Sequence, residues 1–75
     1  MDGIAYKAAA SLVERGREAI RRQEWSTALS LLMEADREKA LVAEDLINSA
    51  MAAHLVGKDA ECAEYLTRAH HGFLQ

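Results

Sequence analysis

Shifted by 34 residues, this chain lies on itself. Leu12 falls on Leu46, Val13 on Ile47, Gly16 on Ala50 and Ala19 on Ala53. Further on, Ala28 falls on Cys62, Leu32 on Leu66 and Ala35 on Ala69. Residue size is kept at these positions, while the charged positions between them vary, as a solvated face allows. Two unrelated amphipathic hairpins can share a helical period. They have no reason to share one register through two helices and the turn between them. The shift therefore predicts one supersecondary unit used twice.

That unit is helical. The chain has no proline, few β-branched residues and an apolar fraction of 51%, much of it alanine and leucine. Ile4, Ala8, Leu12, Val13, Gly16, Ala19 and Ile20 recur at three- and four-residue steps, and charges at 14, 15, 17, 18, 21 and 22 fill the other side. This predicts a first helix over about 4–22. Gln23 and Glu24 form the turn, and Ser26 is the expected N-cap, its hydroxyl accepting from an unpaired amide. Ala28, Leu29, Leu31, Leu32 and Ala35 carry a second helix to about 38. The segment DREK, 36–39, interrupts the pattern, although the stretch 36–42 is close to continuous helix in character. A third helix follows on Leu41, Val42, Leu46, Ile47, Ala50, Met51, Ala53 and Leu55. Gly57 ends it, Asp59 is placed to cap, and a fourth helix over about 60–74 carries Cys62, Ala63, Leu66, Ala69 and Phe73. Connections this short make successive helices antiparallel neighbours. The expectation is an all-α single domain over 1–75, with repeat one at about 9–42 and repeat two at about 43–75.

Charge and apolar runs narrow the function. Net charge is −3 with acids and bases interspersed, so there is no basic footprint for direct nucleic-acid binding and no polybasic patch for a membrane. No apolar stretch approaches a bilayer span, and no basic segment followed by an apolar run begins the chain. The single cysteine, Cys62, has no internal partner, which points to a reducing compartment and a cytoplasmic protein.

Little here could carry chemistry. His54, His70 and His71 are the only histidines. His70 and His71 are adjacent and point to different sides of a helix, so no metal-ligand spacing arises. Cys62 falls at a packed position of the repeat rather than beside a base. The glycines are scattered and cradle no phosphate. The carboxylate pairs Glu44–Asp45 and Glu61–Glu64 read as solvated helix faces. No catalytic residue, no metal and no cofactor is expected, and the chain reads as a non-enzyme.

Thirty-four residues is the period of the tetratricopeptide repeat, and the chain resembles that family over residues 9–74. The family wants a small residue midway along its first helix, where Gly16 and Ala50 stand. It wants small residues early and late in the second helix with a bulky one between. Here these are Ala28, Leu32 and Ala35, then Cys62, Leu66 and Ala69. Gly57 and Trp25 match the glycine and aromatic favoured near the start of the second helix. The departures are Leu12 and Leu46 in place of tryptophan, Ala19 and Ala53 in place of tyrosine, and Ala40 where a proline usually closes the repeat. GREAIRRQEWSTALSLLMEA and AAHLVGKDAECAEYLTRAH look similar to the degenerate hairpins of multidomain bacterial transcriptional regulators. The alternative is a three-helix bundle resembling the microtubule-interacting and trafficking (MIT) domain, itself a peptide binder. That fold requires a second helix unbroken from 26 to about 47 and a last helix containing Gly57, Lys58 and Asp59.

The repeat resemblance implies a protein–protein interaction module, an adaptor whose first helices line a concave face. Val13, Arg17, Ile20 and Arg21 would project there from repeat one, and Ile47, Met51, His54 and Leu55 from repeat two. Such a groove suits an amphipathic helix or an extended peptide with acidic residues. It is not the kind that clamps a C-terminal carboxylate, since only Asn48 fits that pattern. Stacked repeats normally need about three units or a polar cap. Tyr65, Phe73 and Leu74 are therefore the expected exposed side of the last helix. That side would serve a homodimer or a neighbouring polypeptide, unless the chain is a piece of a longer protein.

Overall fold

In the computed structural model, which describes the backbone of residues 2–74 and the side chains of 11–72, the chain is all-α. Helix α1 spans Asp2–Arg21, α2 Trp25–Glu38, α3 Ala43–Leu55 and α4 Asp59–Leu74. Helix α1 packs on α2 and α3 on α4, making two hairpins; α2 also lies against α3, and α1 touches α3. The backbone leaves the helix at 39–42 and again at 56–58. Both breaks fall inside helices that the three-helix alternative needs whole, so that alternative is overturned, and so is a near-continuous helix through 36–42.

The two hairpin turns are the same turn. At the end of α1, the amide of Glu24 donates to the carbonyl of Ala19 (2.9 Å) and that of Gln23 to Ile20 (3.0 Å). At the end of α3, Lys58 donates to Ala53 (2.7 Å) and Gly57 to His54 (3.1 Å). Each pair is a Schellman motif, and every donor and acceptor is displaced by 34 residues from its counterpart. The left-handed residue that such a motif needs is Gln23 at φ 62° in one turn and Gly57 at φ 85° in the other. The bond that opens the next helix repeats too: Ala28 to Glu24 at 2.8 Å, and Cys62 to Lys58 at 3.0 Å. Because the motif closes so tightly, α2 starts at once. Glu24 holds the cap position without a side-chain bond, and Ser26 lies inside the first turn instead of capping it. Asp59 is likewise the first residue of α4 rather than its cap.

The core is alanine-rich and thin. Leu29, Leu32, Ala35, Leu41, Leu46, Ala50, Ala52, Ala53, Tyr65 and Ala69 form one cluster, with Leu12, Val13, Ile20, Trp25, Met33 and Cys62 packed against it. Gly16 allows α1 to close on α2: a Cβ there would sit 2.7 Å from Cδ2 of Leu32. Gly16 and Ala50, Ala19 and Ala53, and Ala35 and Ala69 are buried in pairs, as the register requires. Leu32 and Leu66 break the correspondence, the first fully buried and the second 49% exposed. Among the described residues, α2 is held between α1 and α3, whereas the backbone of α4 packs closely on α3 alone. So α4 turns Tyr65 inward and leaves Leu66 out. Tyr65, 7% exposed, is therefore not part of an exposed self-association face. The side chains of Phe73 and Leu74 lie outside the described residues. The rest of α4's outer face carries Ala63, Glu64, Thr67, His70 and His71, polar enough to meet water.

Candidate partner-binding surface

Helix α3 buries Asp45, Leu46, Ser49, Ala50, Ala52 and Ala53. Its opposite face presents Ile47, Met51 and Leu55 at four-residue steps, a spacing that stacks them on one side of a helix. They are 41%, 39% and 51% exposed. His54 and Glu44 flank them, both exposed. Nδ1 of His54 lies 3.3 Å from Oδ1 of Asp59. The matching residues of α1 behave differently. Val13 and Ile20 are half-buried against the core, and over the described stretch 11–21 the exposed positions of α1 are polar or charged.

The two arginines expected to make half of the groove basic are engaged within the chain. Arg17 donates from Nε to Oδ1 and from Nη2 to Oδ2 of Asp45, both at 2.8 Å. The Asp45 hydrogen bonds hold the Arg17 guanidinium above its ordinary pKa, against a smaller opposing effect of burial. Arg21 pairs with Glu18, as does Arg22 at 3.2 Å, and their hydrogen bonds, Arg21's first, hold the Glu18 carboxyl below its usual range. Arg17 is thus a tie between hairpins, and Arg21 sits in a pair on the surface of its own helix.

Asp45 is a correction to the solvated pair Glu44–Asp45: its side chain is 3% exposed. Its backbone carbonyl also accepts from the fully buried Ser49 hydroxyl at 2.8 Å. A second tie runs between α2 and α4. Arg68 donates from Nη1 to Oδ2 and from Nη2 to Oδ1 of Asp36, both at 2.8 Å. The same Oδ1 accepts the amide of Leu41 at 3.1 Å. Hydrogen bonds from Arg68 lower the Asp36 pKa most, burial opposes them, and the Leu41 amide adds to the lowering. Arg68 also lies 6.0 Å from the centre of the Tyr65 ring, whose hydroxyl pKa burial raises.

Sequence reasoning missed both ties. A signal was present for one of them: Asp45 and Ser49 stand on the same helical face as Leu46, Ala50 and Ala53, where a solvated carboxylate does not belong. Elsewhere, an open depression of about 360 Å³ is lined by Ser30, Met33, Glu34, Arg37 and Lys58. Among the described residues, no three His, Cys, Asp or Glu come together to hold a metal, and no helix is long and apolar enough to cross a membrane. No protein-family model matches the chain, and no curated protein or solved structure does either.

Proposed function

We propose that the chain is a non-enzymatic protein–protein interaction module of two tetratricopeptide-like repeats, and that a partner helix or peptide docks along the outward face of α3. The observation that carries this is the stripe Ile47, Met51 and Leu55, three large apolar side chains left open on one face. Support for the repeat reading comes from the two Schellman turns displaced by 34 residues. Burying the open half of each side chain is worth about 1 kcal/mol, so the three together favour a weak, exchangeable partner. A methionine at the centre lets the surface adapt to differing anchors. The partner needs apolar residues one helical turn apart. It does not need acidic ones, since Arg17 and Arg21 already have carboxylates. The lone half-buried thiol of Cys62 fits a cytoplasmic setting.

The test is affinity capture from the native host with wild-type and Met51→Glu baits of equal helicity and melting temperature. Loss of the specifically captured proteins with Met51→Glu is expected. An unchanged set would overturn the placement of the site on α3.

A further inference from the structure

The links within the hairpins and the link between them are built differently. Each hairpin turn closes on a left-handed residue, Gln23 or Gly57. The inter-hairpin link, residues 39–42, has no such residue. Lys39 is extended, with φ −156° and ψ 130°. Val42, at φ −72° and ψ 162°, stands at the N-cap of α3 without a side-chain bond, and valine is among the poorest caps. The link reads KALV, with neither glycine nor proline, and no residue over 36–45 forbids a helix. Continuing α2 into α3 would pair the carbonyls that end one helix with the amides that begin the other. Opposing this are the burial of Leu41 and the Asp36 carboxylate, which accepts the Leu41 amide while Arg68 grips it from the other hairpin.

Among the described residues, the contacts across the hairpins include α2 on α3, α1 on α3, Arg17 with Asp45, and Asp36 with Arg68. None of them requires that the two hairpins belong to one chain. We propose that two copies of this chain exchange hairpins. The link straightens into helix, α2 and α3 fuse into a single helix over 25–55 about 46 Å long, and the first hairpin of each copy closes on the second hairpin of the other. Both bidentate ion pairs re-form between chains, and only the link changes conformation. Such exchange is a low-cost route to a dimer because it reuses an interface already complementary. The α3 stripe takes no part in it, so the exchange does not depend on the proposed partner site.

The experiment is refolding from denaturant over a range of concentrations up to millimolar, followed by sedimentation. Wild type is expected to give a dimer whose fraction rises with refolding concentration and which dissociates slowly on dilution, since release requires the hairpins to part. Ala40→Pro separates exchange from any other dimer. The extended backbone of Lys39 is the conformation that a residue before proline adopts, whereas a proline inside the fused helix would clash with the carbonyl of Asp36. This variant is expected to lose at least about tenfold of the dimer fraction, the link energy being that of a helix-interior proline, with its monomer melting no lower than wild type. A second readout is a pair of chains, Arg17→Asp and Asp45→Arg. Each alone sets like charges against each other, but an exchanged heterodimer of the two sets opposite charges together at both sites, one pair as in wild type and one reversed, and it should melt above either chain. A wild type that refolds only to monomer, or an Ala40→Pro dimer as abundant as wild type, overturns the exchange. Should Ala40→Pro fail to fold, absence of the heterodimer does so.

Discussion

Two residues show how the same shift of 34 meets different surroundings. Gly16 and Ala50 occupy one position of the repeat. A methyl group is tolerated at Ala50, where the residue matching Leu32 is the half-exposed Leu66. At Gly16 the added carbon would press within 2.7 Å of a fully buried Leu32. Glycine to alanine in a helix interior normally gains up to about 1 kcal/mol, but overpacking costs about 1–3 kcal/mol, and the overlap decides the sign. Gly16→Ala is expected to lower stability by about 1 kcal/mol, read as a lower urea midpoint at constant slope. The reverse holds at Gln23, a non-glycine residue held at φ 62°. Left-handed backbone costs such a residue about 1 kcal/mol, so Gln23→Gly should raise the melting temperature by about 4–8 °C. The sequence made Gly57 legible as a helix terminator. It hid Gln23, because glutamine carries no turn signal and only the displaced hydrogen bonds reveal it.

At the scale of elements, helix positions were legible because the apolar period is strong, and the ion pairs were not because charge pairing across hairpins has no period. Arg17 and Arg21 lie one turn apart on α1 and look equivalent in sequence. Arg21→Ala should leave the urea midpoint unchanged, since its pair with Glu18 is exposed. Arg17→Ala should cost about 2 kcal/mol, because it strands the buried carboxylate of Asp45. Equal effects would show that Arg17 is a surface residue like its neighbour. Asp36 adds a pH dependence. Its pKa is lower in the folded chain than in the unfolded one, chiefly through Arg68. Its contribution is therefore complete above the unfolded value of about 4 and is lost as pH falls through the folded value. Thermal melts of wild type should lose stability across that acid range. Asp36→Asn, less stable at neutral pH, should show a shallower loss, and parallel curves would rule the linkage out.

For the whole molecule, the shift of 34 carries over to the turn hydrogen bonds and to the small buried positions, but not to how the last helix is covered. Leu66 and Tyr65 differ from Leu32 and Leu31 because, among the described residues, the backbone of α4 packs closely on α3 alone, and no property of a residue in sequence records how many helices will flank it. The same arrangement governs cooperativity. Helix α2 belongs to the first hairpin by connection, yet it packs on α3, and its Asp36 is tied to Arg68 of the second hairpin. Leu32 is the one large apolar side chain among the described residues with less than 2% exposure. A core this thin does not supply two independently stable halves. The hairpins should accordingly unfold together rather than one after the other. Trp25 reports the first hairpin, as the single tryptophan and half-buried against the core. Backbone amide exchange in α4 reports the second. Urea midpoints from Trp25 fluorescence and from far-ultraviolet circular dichroism are expected to coincide. The slowest amides of α2 and α4 should share one opening free energy. A fluorescence transition ahead of the helical one, with α4 still protected, would mean that the second hairpin stands without the first.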